Sequence, residues 1–173
     1  MLQAMNRLHT REEYFRLIDT IREHIPDCGI SHDMIAGFPG ETEEDHKQTL
    51  SLMEYVQYDF GFMFAYSERP GTLAARKLED DVPEPVKKRR LREIIELQQK
   101  HSLYRNQQHL GKVEEVLIEG NSKKSVAHWM GRNTQNTVVV FPKENYRKGE
   151  LVNVRIEECT SATLLGKAVG YSN

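Results

Sequence analysis

The sequence predicts two structural classes in one chain, an α/β segment followed by a small all-β module. Three observations predict this. Through residue 110, helical apolar spacing alternates with short, nearly unbroken apolar runs. From Gly111 onward, five short β-rich runs are separated by Asn, Gly, Ser and Lys clusters. The charge balance also changes: residues 1–110 carry 15 Lys/Arg against 19 Asp/Glu, and residues 111–173 carry 9 against 7.

Thr10 and Glu13 have the spacing of a capping box, and Tyr14, Leu17, Ile18, Ile21 and Ile25 follow on one helical face until Pro26. Residues 29–36 read as a strand, and Gly37-Phe38-Pro39-Gly40 as a tight turn. Thr42 with Asp45 caps a second helix, whose Leu50, Met53 and Val56 share a face. The run "DFGFMFAY" (59–66) is apolar enough for a parallel strand buried on both faces. Residues 67–72 form a loop, 79–85 a polar connection, and a third helix runs from about Val86 to Asn106. Two strands make too small a sheet to stand alone, so this half reads as cut from something larger.

In the tail, "GKVEEVLIEG", "VAHWMGR", "TVVVF", "ELVNVRIEE" and "ATLLGKAV" are five strands in about 60 residues, which predicts a small closed barrel. The boundary is placed near Leu110, giving domains 1–110 and 111–173.

Composition narrows the class. With 38% hydrophobic and 29% charged residues and a net charge of −2, the chain reads as globular. No run approaches the roughly 18 apolar residues of a membrane span, and the Met1 end lacks a signal-peptide core, so a cytoplasmic location and no membrane partner are expected. Cys28 and Cys159 are far apart and lack paired spacing, which points to neither a disulfide framework nor a metal site. His32, His46 and His128 show no ligand spacing and read as structural or exposed.

Gly37 and Gly40 follow a strand and precede a helix, where ligands of parallel sheets collect. A backbone this small admits either a closely approaching ligand or simply a tight turn. No Gly-Lys-Ser/Thr closes the turn, so it is not a nucleotide P-loop. The cationic run "KKRR" (87–90) opens the third helix against its dipole, and reads either as a phosphate-binding group or as a solvated face. In the tail, Arg132, Lys143 and Lys148 are the candidate RNA-binding cations, with Trp129 and Phe141 expected in the core.

"MNRLHTREEY", "DMIAGFPGETEED", "YSERPGT" and "VPEPVKKRRL", in this order, resemble the C-terminal half of the radical S-adenosylmethionine methylthiotransferases. "EVLIEG", "GRNTQNTVVVF" and "TSATLLGKAV" resemble their appended TRAM domain. The resemblance implies the last two strands and helices of a radical-SAM (β/α) barrel, then a five-stranded OB-like barrel. It implies that a methylthio group is added to N6-isopentenyladenosine beside the anticodon of tRNA, with S-adenosylmethionine as cofactor. Ile35, Gly37, Phe38, Tyr66 and Ser67 would line the S-adenosylmethionine site. The family also holds two [4Fe–4S] clusters on cysteine sets that Cys28 and Cys159 match in neither case, so the segment alone is expected to bind none and to be inactive. No catalytic residue is assigned. Two alternatives stay open: a stand-alone RNA-binding module, or a sister enzyme acting on a ribosomal-protein aspartate or on threonylcarbamoyl-adenosine. Self-association through the exposed sheet edge is expected.

Overall fold

A computed structural model describes residues 1–172. They divide into two compact units, Met1–Gln99 and Lys100–Asn173.

The first unit holds α1 (Arg11–His24), β1 (Ser31–Ala36), α2 (Glu43–Val56), β2 (Phe60–Ala65), the short α3 (Leu73–Lys77) and most of α4 (Glu84–Gln107). Both predicted capping boxes form: Thr10 with Glu13 on α1, and Thr42 with Asp45 on α2. α4 begins at Glu84 rather than Val86, because Pro85 lies in the first turn, where a missing N–H costs nothing. α3 was not anticipated; Thr72 caps its single turn by accepting from the Ala75 N–H.

β1 and β2 pair in parallel, with His32 opposite Gly61 and Ile35 opposite Phe64. The His32 ring occupies the space a Cβ on Gly61 would need, packs 4.5 Å from the Tyr58 ring and shares a hydrogen bond with Gln98. Ile18, Ala36, Met53, Val56, Tyr58 and Ile94 form one core, so α1, α2 and α4 cover a single face of the pair. The opposite face carries Asp33, Ile35, Phe62 and Phe64, all exposed. This corrects the expectation that 59–66 is buried on both faces: an apolar run can serve two faces, but here only one is covered. Leu17 and Ile25, expected in the α1 core stripe, are also exposed. Among the described residues no strand pairs with the outer edge of β1 or β2.

The second unit is a closed barrel of β3 (Val113–Ser122), β4 (Ser125–Asn133), β5 (Val138–Pro142), β6 (Leu151–Cys159) and β7 (Leu164–Tyr171), ordered β3-β4-β5-β7-β6 and closing onto β3. The β5–β7 contact is parallel and the others antiparallel. Alternate residues Val116, Ile118, Val139, Phe141, Val152, Val154, Ile156 and Leu164 point inward and fill it. This unit starts before Leu110, inside α4: His101, Ser102 and Asn106 are buried, and the Asn106 amide donates to the Thr160 carbonyl at 2.8 Å.

Candidate cofactor turn and nucleic-acid interface

The turn after β1 is built by α4. Gly37 has φ +74, and a Cβ there would overlap Lys87 Cγ outright and stand 3.1 Å from Lys87 Cβ. The missing side chain therefore makes room for a lysine stem. Lys87 is 1% exposed; its ammonium donates to Asp80 at 2.6 Å and to Glu84 at 3.1 Å. Burial pulls the Lys87 pKa down, but the bonds to these carboxylates outweigh it and hold it above the ordinary lysine value. Three residues on, Arg90 donates to the Glu41 carbonyl and to its carboxylate, both at 2.9 Å. The same carboxylate oxygen accepts the Gly37 N–H at 2.5 Å. Glu41 is thus a buried strut between α4 and the turn, and Gly40 is fastened separately by its N–H to Asp81 at 2.7 Å.

"KKRR" is accordingly neither a solvated face throughout nor a free phosphate cluster. Lys87 and Arg90, at i and i+3, are buried against the turn. Arg89 pairs with Glu43 at 2.6 Å and Glu93 at 2.8 Å. Glu93 also meets the buried His46 at 2.6 Å, a bond that with Arg89 holds its carboxyl below the usual carboxylate range.

Phe38 is buried and meets the Tyr66 ring edge-on at 5.2 Å; the Tyr66 N–H donates to the Ala36 carbonyl at 2.8 Å. The Lys87 ammonium stands 5.5 Å from the Tyr66 ring centre. Gly37, Phe38 and Tyr66 are therefore brought together, with Gly37 and Phe38 occupied in packing. Ile35 and Ser67 are exposed, Ile35 on the open sheet face beside Phe64. The turn leaves the exposed Ile35 and Ser67 and the half-buried Tyr66 open to a ligand, while Lys87 fills the space over Gly37. An iron–sulfur cluster does not fit: Cys28 and Cys159 lie in different units, and no group of three or more ligating side chains occurs among the described residues.

The barrel separates the three predicted RNA contacts. Arg132 lies near the end of β4; it donates to the Asn136 carbonyl at 2.8 Å and faces Glu119 at 3.5 Å. Lys143 follows β5, and its N–H donates to the Ala127 carbonyl at 2.9 Å. At about 3.3 Å per residue, positions 127 and 132 are some 17 Å apart along β4. Lys148 is exposed on the β5–β6 connection, at the Lys143 end. That end also carries exposed Lys123, Lys124 and Arg147, and the Tyr146 and Tyr171 rings pack edge-on at 5.0 Å. Phe141 is core, as expected. Trp129 is only half-buried, with the Lys143 ammonium 4.3 Å from its ring centre. Spacing had missed this group; the Lys-Lys turn in "NSKKS" was its one signal.

Residues 107–169 match the TRAM domain family. The barrel is a TRAM domain. Over all 173 residues the chain is 66% identical to a tRNA-2-methylthio-N(6)-dimethylallyladenosine synthase of Christiangramia forsetii, covering 36% of that protein. A synthase of the same name from Flavobacterium johnsoniae is 61% identical over 173 residues, again 36% of its length. One from Chloroherpeton thalassium is 57% identical over 171 residues, 38% of its length. The chain therefore spans little more than a third of these relatives, and the match extends through the α/β unit as well as the TRAM domain. A solution structure of a conserved protein from Methanococcus maripaludis matches 35% of this chain and 79% of that one at 28% identity, with a TM-score of 0.29, too low to compare folds. No helix among the described residues is long and apolar enough to cross a membrane.

Proposed function

We propose that this chain is the part of a tRNA methylthiotransferase that carries the last two strands of a radical-SAM barrel and the TRAM domain. The parent enzyme adds a methylthio group to N6-isopentenyladenosine, the dimethylallyl nucleoside in its relatives' names. The observation that carries the reading is identity of 57–66% running from one end of the chain to the other. Those names favour this nucleoside over threonylcarbamoyl-adenosine or a protein aspartate.

In this reading β1 and β2 present their exposed face (Asp33, Ile35, Phe62 and Phe64) to the barrel lumen. Ile35, Tyr66, Ser67 and the backbone at Gly37–Phe38 hold S-adenosylmethionine, which supplies the radical and the methyl group when bound. This chain's residues bind and orient: Arg90 and Glu41 fix the turn, and Lys87 fixes Gly37 and the Tyr66 ring. The cluster ligands are assigned outside this sequence, since two separated cysteines cannot hold a cluster. The TRAM domain binds tRNA: OB-type barrels present their second and third strands, here β4 and β5, and the flanking loops to single-stranded nucleic acid. Arg132 anchors one end of that face and Lys143 with Lys148 the other. The sequence boundary near Leu110, which assigns all of α4 to the α/β half although its last turns pack with the β-barrel, and a cytoplasmic location belong to the same proposal.

The test is a segment exchange. The matching segment of the Christiangramia forsetii synthase is replaced by this chain, and tRNA nucleosides from a strain lacking its own synthase are analysed by mass spectrometry. Methylthiolated isopentenyladenosine is expected; only the unthiolated nucleoside, from a hybrid that folds and binds its clusters, overturns the assignment.

A further inference from the structure

Trp129 is placed oddly for a core tryptophan. It packs against the barrel core, yet its Nε1 is buried with no hydrogen-bond partner among the described residues. A tryptophan kept for packing usually satisfies its N–H. What Trp129 does offer is a ring face, and that face is covered by the Lys143 ammonium, 4.3 Å from the ring centre. No carboxylate pairs with Lys143 among the described residues, so the ring is its one partner. Lys143 begins the β5–β6 connection, where only its backbone is tied down, to Ala127. Around the pair stand exposed Lys123, Lys124, Arg147 and Lys148, and the Tyr146–Tyr171 rings; Glu144 is the exposed carboxylate nearby in sequence.

We propose that Trp129 is a stacking site for one unpaired RNA base, which Lys143 closes in the free protein. The inference rests on the reading that the TRAM domain binds RNA, and it names the atoms that do so. An ammonium is drawn to an aromatic face by the ring quadrupole, and the same face accepts any nucleobase. When an RNA strand arrives, a phosphate offers the Lys143 ammonium a full negative charge, stronger than the ring. The lysine turns to the phosphate, and the uncovered indole takes the adjoining base. One side chain thereby exchanges a weak internal contact for an ion pair while exposing the second contact. The ligand class is single-stranded or loop RNA, because a base in a duplex has no free face.

The full 173-residue chain has one tryptophan, so its emission reports Trp129 alone. Three probes are titrated at low salt: a fluorescein-labelled single-stranded oligoribonucleotide, inorganic polyphosphate and adenosine. The oligoribonucleotide should raise anisotropy and quench Trp129, and polyphosphate should bind without quenching. Adenosine brings no phosphate to move the lysine, so it should quench Lys143→Met several-fold more steeply than the unaltered chain. Trp129→Leu should weaken RNA binding about 5- to 100-fold, and Trp129→Phe, which keeps a ring, by about threefold or less. Melting curves of each variant separate misfolding from lost stacking, and the Lys143→Met comparison stands even if Trp129→Leu fails to fold. RNA binding that leaves Trp129 emission unchanged, or equal adenosine quenching with and without Lys143, overturns the stacking site while leaving RNA binding intact. No anisotropy change at low salt overturns the RNA reading and this inference with it.

Discussion

Gly37→Ala tests whether the turn after β1 is small because of Lys87. Two costs are predictable. Gly37 has φ +74, and an L-residue in the left-handed region costs roughly 1–2 kcal/mol. The new Cβ also overlaps Lys87 Cγ, and the lysine cannot step aside easily, since it is 1% exposed and held by Asp80 and Glu84. Overpacking of this kind costs about 1–3 kcal/mol. The expected total is about 2–5 kcal/mol. Only the second part should vanish when the stem is removed as well, so the Gly37→Ala/Lys87→Ala pair should show a favourable coupling of about 1–3 kcal/mol. Urea unfolding followed by helical circular dichroism measures the α/β unit, which holds α1 and α2, while Trp129 emission follows the TRAM domain as an internal control. A Gly37→Ala chain within about 0.5 kcal/mol of the parent, or a double variant whose losses simply add, would refute the reasoning.

Arg90→Met should destabilise the α/β unit by about 3–5 kcal/mol, because it leaves the buried Glu41 carboxylate without its cation; Arg90→Met with Glu41→Gln should recover part of that in the same urea assay, and no recovery would deny the strut. Acid should loosen the TRAM domain through Glu114: burial pushes its carboxyl up, but the His109 bond at 2.7 Å, with Asn133, outweighs this and holds it below the ordinary 4.5. A depressed carboxylate contributes stability above its unfolded pKa and loses it as pH falls through the folded one, so Trp129-detected melting should drop below about pH 4.5, and less steeply in Glu114→Gln. Replacing Arg132, Lys143 and Lys148 together by Ala should lower the slope of log K against log salt for single-stranded RNA by about 2, at roughly 0.7 per phosphate contact; an unchanged slope removes all three from the interface. The open sheet face and free strand edges should make the chain self-associate in sedimentation, and Phe62→Ser with Phe64→Ser should reduce it; a monomeric parent would refute this.

Local chemistry was enough to place most of the elements. Thr10–Glu13 and Thr42–Asp45 cap their helices within four residues, and the five tail strands carry their own period-two pattern, so the order of elements other than the one-turn α3, and the closed barrel, were legible in the sequence by itself. Neighbours along the chain could not say which faces would be covered. "FGFMFAY" is apolar on both faces whether one or two are packed, and Leu17 fits a core stripe whether or not a partner lies beyond it. The candidate sites depended on contacts far apart in sequence. Lys87 lies fifty residues from Gly37, and only the packing of α4 on the turn turned a cationic run into two buried struts and two outward charges. Arg132 and Lys143 look close in sequence, but β4 and β5 run antiparallel, which sends them to opposite ends of the barrel. The same pairing sets Trp129 opposite Phe141 and so beneath Lys143. Side-chain type is a local property, whereas burial and partnership belong to the pairing of distant strands and helices, which is why those were decided only in the tertiary structure.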